Sequence, residues 1–315
     1  MVARNAIKKS LKNLPKDSAV GFGCSGGADS TALMLALSTL YKGDRASLVH
    51  VVIIDHQLQE VTAEISQNVA ELAKSYGFTP HVIPISITET REGSESDARR
   101  SRYEAFEKTI EEYNLKAFLT GHTKSDQAEQ VMLGIIRGSG SRSLSGIREE
   151  RGVYKRPFLN WLSREETQKV CEENGYEYWC DPHNDLTIYR RVAVRKFLKN
   201  FEDESGQKIT DSLVKTAIIN SEEADALDFY ADSMYSKVID NNWSADFLST
   251  IPSAVRKRLY RKILIELEVR SDSIDFLKLS AIDNLISDWR GQGAVVISKN
   301  LEVSRFKGGL VFTKS

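Results

Sequence analysis

Short apolar runs alternate with amphipathic segments over roughly the first two hundred residues of the chain. The runs predict buried strands at residues 19–23, 47–54, 81–85 and 116–120. The 3.6-residue period between them predicts helices at residues 5–13, 29–37, 60–76 and 95–113. This alternation predicts an α/β fold, with a doubly wound parallel sheet and a ligand site at the carboxyl ends of its strands.

The pattern changes after residue 200. Residues 203–207 form a polar linker, and residues 209–290 have a mostly helical period. Three short apolar runs separated by turn residues end the chain and predict antiparallel strands. We therefore expect a first domain over residues 1–202 and a smaller, mainly helical domain with a short C-terminal β segment over residues 203–315.

A glycine-rich loop lies between the first predicted strand and its helix. The loop reads Ser25, Gly26, Gly27, Ala28, Asp29 and Ser30. Glycine adopts positive φ without steric cost, so the loop can turn sharply and leave N–H groups free at a helix start, where phosphate binds well. Asp29 takes the place of the lysine found in common nucleotide loops, and a carboxylate beside a polyphosphate indicates Mg²⁺. The alternative is a turn in which Asp29 or Ser30 caps the helix.

A second polar cluster follows the strand at residues 116–120. His122 lies in the turn, and Asp126 and Glu129 share one face near the start of the next helix. Two carboxylates and an imidazole at a strand end can bind a metal, bind an ammonium group or transfer a proton. The alternative is that the acidic residues only complement the helix dipole.

Arginines recur at predicted helix starts. Arg99 lies beside Arg100 and Arg102, while Arg191 and Arg195 are four residues apart and share a face. Guanidinium groups bind phosphate oxygens in pairs, although a solvated basic face has the same pattern.

Overall charge limits the classes of protein that the chain can belong to. Its 315 residues contain 43 Lys and Arg against 44 Asp and Glu, a net charge of −1, which argues against a uniformly basic coat for nucleic acid. Three cysteines without C-x-x-C spacing argue against disulfides, zinc and iron–sulfur clusters. No apolar run is long enough to span a bilayer and no signal peptide is visible, so we expect a cytoplasmic protein.

Several motifs carry a resemblance to known proteins. The S-G-G-x-D-S loop resembles that of the ATP-pyrophosphatase superfamily, whose members split ATP between its α- and β-phosphates. Six ordered motifs over residues 20–200 resemble the tRNA(Ile)-lysidine synthetase family. Beyond the loop, they are E-x-x-A-R-x-x-R-Y at 95–103, His122 with D-Q-A-E at 126–129, R-G-S-G at 137–140, R-P-F-L at 156–159, and D-P-H-N at 181–184 with Arg191 and Arg195. Val192 and Gln130 depart from the commonest family pattern.

The resemblance implies an activity. Family members use ATP to join free L-lysine to the wobble cytidine of the isoleucine tRNA with a CAU anticodon, releasing AMP and pyrophosphate. The cytosine C2 oxygen leaves only after it becomes an AMP ester, and a neutral lysine ε-amine then attacks C2.

The resemblance also implies residue roles. Asp29, with Mg²⁺, and His122, Asp126 and Glu129 would be catalytic. The ATP site would consist of Ser25, Gly26, Gly27, Ala28, Asp29, Ser30 and Arg99. The tRNA contacts of the first domain would be Arg137, Arg191 and Arg195.

One helix of the second domain is strongly basic. Val255, Leu259, Ile263 and Leu267 form an apolar stripe, and the rest of the helix surface carries Arg256, Arg258 and Arg261 among other cations. We expect these three arginines to contact tRNA, because a nearly neutral protein meets a polyanion through local basic patches. The alternative is a solvated helix face.

Two other functions fit parts of the sequence. A tRNA thiolase or an amidotransferase-type synthetase shares the loop, but the cysteines lack thiolase spacing and nothing resembles a glutaminase. A non-catalytic nucleotide- or RNA-binding module leaves His122, Asp126 and Glu129 unexplained. The sequence leaves a homodimer open.

Overall fold

The computed structural model describes residues 1–55, 60–85, 94–179 and 190–314. Its internal contacts divide the chain into two compact units, residues 1–219 and 220–315. Residues 203–219, assigned from sequence to the second domain, therefore belong to the first compact unit. The division at residue 202 stays a prediction about domain organisation.

A six-stranded sheet forms the centre of the first unit. Its strands are β1 (Val20–Gly23), β2 (Val49–Asp55), β3 (Thr79–Pro84), β4 (Ala117–Leu119), β5 (Glu150–Arg151) and β6 (Tyr154–Lys155), in the order β3-β2-β1-β4-β6-β5. All neighbours are parallel except β5 and β6. The chain winds outward from β1 in both directions, so the switch point lies between β1 and β4, where ligands bind in such sheets.

Helices flank this sheet. They are α1 (Val2–Ser10), α2 (Ala28–Ser38), α3 (Glu60–Ser75), α4 (Ser94–Glu112), α5 (Lys124–Ile136), α6 (Ser141–Leu144), α7 (Arg164–Glu173) and α8 (Arg190–Ser205). A further helix, α9 (Ile209–Asp240), continues from the first unit into the second.

Core residues lie on both faces of the sheet. In β2, Val51 and Ile53 pack in one core cluster with α2 and α3, whereas Val52 packs in another with Phe106 of α4. A strand covered on both faces has no polar positions to alternate with apolar ones, which explains its continuous apolar run. The predicted doubly wound parallel sheet is confirmed, and the antiparallel edge strand β5 is an addition.

The second unit has a core of its own. Its further elements are α10 (Ala245–Ser249), α11 (Ser253–Glu266), α12 (Phe276–Ser287) and the antiparallel strands β7 (Val295–Ser298), β8 (Leu301–Phe306) and β9 (Gly309–Lys314). Leu259, Ile282 and Val303 are fully buried where α11, α12 and β8 meet. The predicted helical part with a terminal β segment is confirmed.

Two further expectations concern cysteines and membranes. Cys24 and Cys171 are buried free thiols, and Cys180 lies outside the described residues. Within the described ranges, no helix combines the length and apolar character needed to cross a bilayer.

Candidate active site

The glycine-rich loop leaves β1 at its carboxyl end and enters α2. Gly26 has a φ of +80°, and Gly27 is the N-cap residue of α2, with no side chain of the described residues capping that helix start. The Ser30 hydroxyl donates to the Gly27 carbonyl at 3.1 Å and accepts from the Ser25 N–H at 3.2 Å. Ser30 thus fixes the turn through two hydrogen bonds. No side chain in the described part of the protein caps the N–H groups of the first helical turn, which leaves them available to an anion.

Two other segments approach the loop closely. The Trp179 N–H donates to the Gly26 carbonyl at 3.0 Å. At the end of β4, a methyl group on Gly121 would lie 3.0 Å from the backbone carbonyl of Asp29. Glycine at position 121 therefore lets the turn that carries His122 pack directly against the loop.

Asp29 lies in the first turn of α2 and contacts α7. Its Oδ1 accepts from the Thr167 hydroxyl at 2.5 Å, and its Oδ2 lies 3.5 Å from Nε of Arg164. Burial raises the pKa of Asp29 to about 6; Asp126 adds to the rise, and Arg164 and Thr167 oppose it. The charged carboxylate is therefore disfavoured here unless a further cation approaches it.

Asp126 both caps α5 and faces the site. Its Oδ2 accepts from the Thr123 N–H at 2.8 Å and from the Thr123 hydroxyl at 2.9 Å, which completes a capping box. Its Oδ1 lies 3.3 Å from Nη2 of Arg164. Burial alone would raise the pKa of Asp126, but Arg164, His122 and Thr123 together lower it. The sequence left open whether Asp126 supports the helix start or belongs to a site. It can do both, because each role uses a different oxygen of its carboxylate.

Glu129 lies one turn further along α5 and is 1 % exposed. Its Oε1 accepts from Nε of Arg195 at 2.7 Å and lies 3.5 Å from Nη1 of Arg164. Its Oε2 is buried and has no hydrogen-bond partner within the described part of the chain. An unpartnered buried carboxylate oxygen is costly, so it is a natural acceptor for a substrate donor.

Arg164 joins these three carboxylates, and the motifs of the sequence do not single it out. Arg164 and Thr167 belong to the first turn of α7, which Ser163 and Glu166 begin with a capping box. That S-x-x-E pattern is visible in the sequence and marks a helix start. It does not reveal that α7 packs beside α2, so the contacts with Asp29 could not be predicted.

His122 adjoins the carboxylates on the other side. Its Nδ1 lies 2.8 Å from the Thr120 hydroxyl. Burial lowers the pKa of His122 to about 4; Asp126 opposes the shift, while Arg156, Arg99 and Arg191 add to it. The imidazole is therefore neutral at pH 7 and suits hydrogen bonding better than general-base catalysis.

The predicted basic residues of this unit have different surroundings. Arg195 donates to Glu129, and Arg191 donates to Oε1 of Gln130 at 3.1 Å. Gln130, which departs from the commonest family pattern, is therefore the hydrogen-bond partner of Arg191. Val192 is buried. Arg99 is exposed on α4, and Arg137 is exposed at the C-cap of α5, about 12 Å along the helix from Glu129.

The expected exposure of one arginine in the second unit is wrong. Arg256 does not lie on an exposed basic face: it is 6 % exposed and donates to both oxygens of Asp283, at 2.7 and 3.0 Å. Its Nη1 donates to the Ile251 carbonyl. Arg258 pairs with Asp228 at 2.7 Å, and Arg261 donates to Ser271 and to the Ile274 carbonyl, but both remain partly accessible. The D-P-H-N motif at 181–184 lies outside the described residues.

Comparisons with known proteins show the family to which the chain belongs. The PP-loop domain family matches residues 2–202. A tRNA(Ile)-lysidine synthase of Thermobifida fusca is 39 % identical over 299 residues, covering 93 % of this chain and 91 % of that protein. The chain belongs to the tRNA(Ile)-lysidine synthase family. A second member, from Salinispora tropica, is 35 % identical and spans 98 % of this chain and 94 % of its own length.

The fold recurs outside the family. The U34-tRNA thiolase from Methanococcus maripaludis superimposes with a TM-score of 0.55 at 17 % identity, covering 68 % of this chain and 77 % of that one. This likeness concerns the fold alone. Family membership confirms the sequence-based prediction of an ATP-using, tRNA-modifying ligase that forms lysidine, and the thiolase alternative has no better support.

Proposed function

We propose that the site divides the lysidine reaction between its two acidic regions, with ATP and Mg²⁺ at Asp29 and the amine of free L-lysine at Asp126 and Glu129. The observation that carries the proposal is the buried Oε2 of Glu129, which has no hydrogen-bond partner among the described residues. It belongs to a carboxylate cluster that adjoins the phosphate-binding loop at the switch point of the sheet. A cationic substrate and a polyphosphate require opposite charges within one cleft, and these two features supply them.

The loop residues Gly26, Gly27, Ala28 and Ser30 would hold the pyrophosphate portion of ATP through backbone N–H groups, and Ser25 would contribute its hydroxyl. Arg99, exposed on α4, would add a guanidinium to the nucleotide. In the first step the C2 oxygen of the cytidine attacks the α-phosphorus and pyrophosphate leaves, which turns the oxygen into part of an AMP leaving group.

Mg²⁺ fits the donor set at Asp29. Within the described ranges no three His, Cys, Asp or Glu side chains form a metal cage. A Mg²⁺ ion on substrate phosphates needs only one or two protein carboxylates, and Asp29 sits at the loop with its charge incompletely neutralised. When bound, the ion would neutralise phosphate charge as pyrophosphate departs.

Asp126 and Glu129 would orient lysine for the second step. The ε-amine attacks C2 of the adenylated cytidine, the C2–O bond breaks, AMP leaves, and the amine loses a proton. The neutral His122 would hydrogen-bond near the reacting groups. Arg137, Arg191, Arg195, Arg258 and Arg261 stay proposed tRNA contacts, and the cytoplasm and the homodimer stay predictions.

Labelled lysine tests the proposal directly. The protein is incubated with ATP, Mg²⁺, labelled lysine and isoleucine tRNA transcripts whose anticodon is CAU or, as the control, GAU. We expect label only in the CAU transcript, with one AMP and one pyrophosphate released per lysine. Release of AMP without lysine transfer to either transcript would contradict the proposal.

Glu129→Gln separates the two steps. If Glu129 serves lysine, the variant still forms adenylated tRNA but transfers lysine at least about a hundredfold more slowly, since a buried charged partner of the amine is lost. Lys169→Gln, which removes an exposed charge from α7, is the matched control and should leave both steps unchanged. Equal loss of both steps in Glu129→Gln would assign the residue to ATP instead.

A further inference from the structure

Arg164 is the centre of the carboxylate cluster, yet it is bound firmly to none of its partners. Its three nitrogens each approach a different carboxylate: Asp29 at 3.5 Å, Asp126 at 3.3 Å and Glu129 at 3.5 Å. An arginine committed to one carboxylate makes two parallel hydrogen bonds near 2.8 Å. The long single contacts leave lone pairs on all three carboxylates available to another donor.

The charges of the cluster do not balance. Three carboxylates are in direct contact with two guanidinium groups, those of Arg164 and Arg195, within the described residues. When all five groups are ionised, one negative charge remains uncompensated. The buried Oε2 of Glu129 lacks a partner in the same cluster. Both observations indicate room for one more positive group.

We infer that Arg164 is a displaceable counter-cation, which holds the three carboxylates together until the substrate ammonium group competes with it for Asp126 and Glu129. The inference rests on the proposed lysine site and adds to it a residue that sets lysine affinity. Arg195 would remain on Oε1 of Glu129, because its 2.7 Å contact is the shortest between an arginine and a carboxylate in the cluster.

If Arg164 competes with lysine, its removal should have a different effect on ligand binding from the removal of a supporting residue. Removing a residue that merely supports the site should weaken every ligand. Removing a competing cation should tighten the binding of a cationic ligand and leave an uncharged analogue unaffected. Arg164 also keeps Asp29 and Asp126 at a fixed separation, so its loss should slow lysine transfer even while lysine binds more tightly.

The test measures lysine binding to the full chain by equilibrium dialysis for the parent, Arg164→Gln and Lys169→Gln. Norleucine, which has the carbon chain of lysine but lacks the ε-ammonium group, serves as the probe with an uncharged side chain. We expect Arg164→Gln to tighten lysine binding about tenfold. The affinity for norleucine and the behaviour of Lys169→Gln should match the parent, and in steady state both KM for lysine and kcat should fall.

Two results would overturn the inference. One is lysine affinity in Arg164→Gln that is equal to or weaker than that of the parent; the other is equal tightening for lysine and norleucine, which would indicate a wider pocket. If Arg164→Gln does not fold, Arg164→Lys replaces it, since one ammonium group cannot contact three carboxylates, and about threefold tightening is expected.

Glu129→Gln distinguishes this inference from the proposed function. If Glu129→Gln leaves lysine affinity at the parental value, lysine does not bind at Glu129 and the proposed lysine site fails. If Glu129→Gln weakens lysine binding while Arg164→Gln does not strengthen it, only the displacement of Arg164 fails.

Discussion

The two units each contain a buried or nearly buried arginine among acidic partners, and the two arrangements differ in kind. Arg256 makes short, paired hydrogen bonds to one carboxylate, that of Asp283, and its remaining nitrogen is satisfied by backbone carbonyls. Arg164 makes three longer contacts to three carboxylates. A closed pair stabilises a fold and has no capacity for a ligand. An open cluster is under-satisfied in the free protein, and a substrate can complete it.

Arg256→Met should have the largest effect on stability. It leaves Asp283 buried without its partner, which costs about 3–5 kcal/mol in comparable sites. Denaturant unfolding would measure the loss. Arg290→Met, which removes the exposed pair with Asp288, is the control and should change stability by less than about 1 kcal/mol. Equal losses in the two variants would mean that the Arg256 pair is not a structural device.

Asp29→Asn should separate function from stability in the open cluster. Pyrophosphate release should fall at least about a hundredfold, because the carboxylate that is proposed to bind Mg²⁺ is lost. The melting temperature should stay the same or rise, since burial disfavours the charged carboxylate whose pKa is raised to about 6. A large fall in melting temperature would show that Asp29 is needed by the fold.

Two groups of the site, His122 and Asp29, should change the folding stability in opposite directions as the pH is lowered. The pKa of His122 is about 4 in the folded protein and near 6.5 in the unfolded chain. Between these two pH values the unfolded chain binds more protons than the folded protein, so stability falls as the pH drops from 6.5 to 4. The pKa of Asp29 is about 6 in the folded protein and near 3.8 in the unfolded chain. Between these two pH values the folded protein binds more protons than the unfolded chain, so stability rises as the pH drops from 6 to 3.8.

Relative to the parent, Asp29→Asn should therefore lose more stability between pH 7 and pH 4.5, and His122→Asn should lose less, each by about 1–2 kcal/mol. Urea titrations at the two pH values measure both differences. Equal losses in the two variants would mean that both groups keep their ordinary pKa in the folded protein.

The smallest effect is expected from Arg258→Gln combined with Arg261→Gln. If both contact phosphates, the logarithmic salt dependence of tRNA binding should become shallower by about 0.7–0.9 for each contact. Filter binding at two salt concentrations measures the slope, and ATP affinity is the internal control. An unchanged slope would show that Arg258 and Arg261, like Arg256, only make contacts within the second unit and do not bind tRNA phosphates.

Local chemistry explains what the sequence could predict. The glycine loop and the capping of α5 depend on residues a few positions apart, so the order of residues alone places Gly26, Asp29, His122, Asp126 and Glu129 at strand ends. Their convergence follows from a general property of parallel sheets, whose carboxyl ends share one edge.

Long-range packing explains what the sequence could not predict. Thr167 reaches Asp29 from a helix 138 residues away, and no local pattern records that contact. The wrong prediction for Arg256 has a different cause. At about 100° per residue, Arg256 projects between Ile263 and Leu267, two members of the apolar stripe itself, so helical geometry alone would have placed Arg256 on the inner face.

Gly121 limits which substitutions this site can tolerate during evolution. A Cβ atom at this position would meet the backbone of Asp29 at 3.0 Å, which is tighter than ordinary van der Waals contact, although glycine has no side chain that could supply a charge or a nucleophile. Under selection for activity, codons that add a side chain here should be disfavoured, because the loop would have to shift by a few tenths of an ångström. A survey of tolerated substitutions would then mark position 121 as constrained, and the reason would be close backbone packing rather than a functional group.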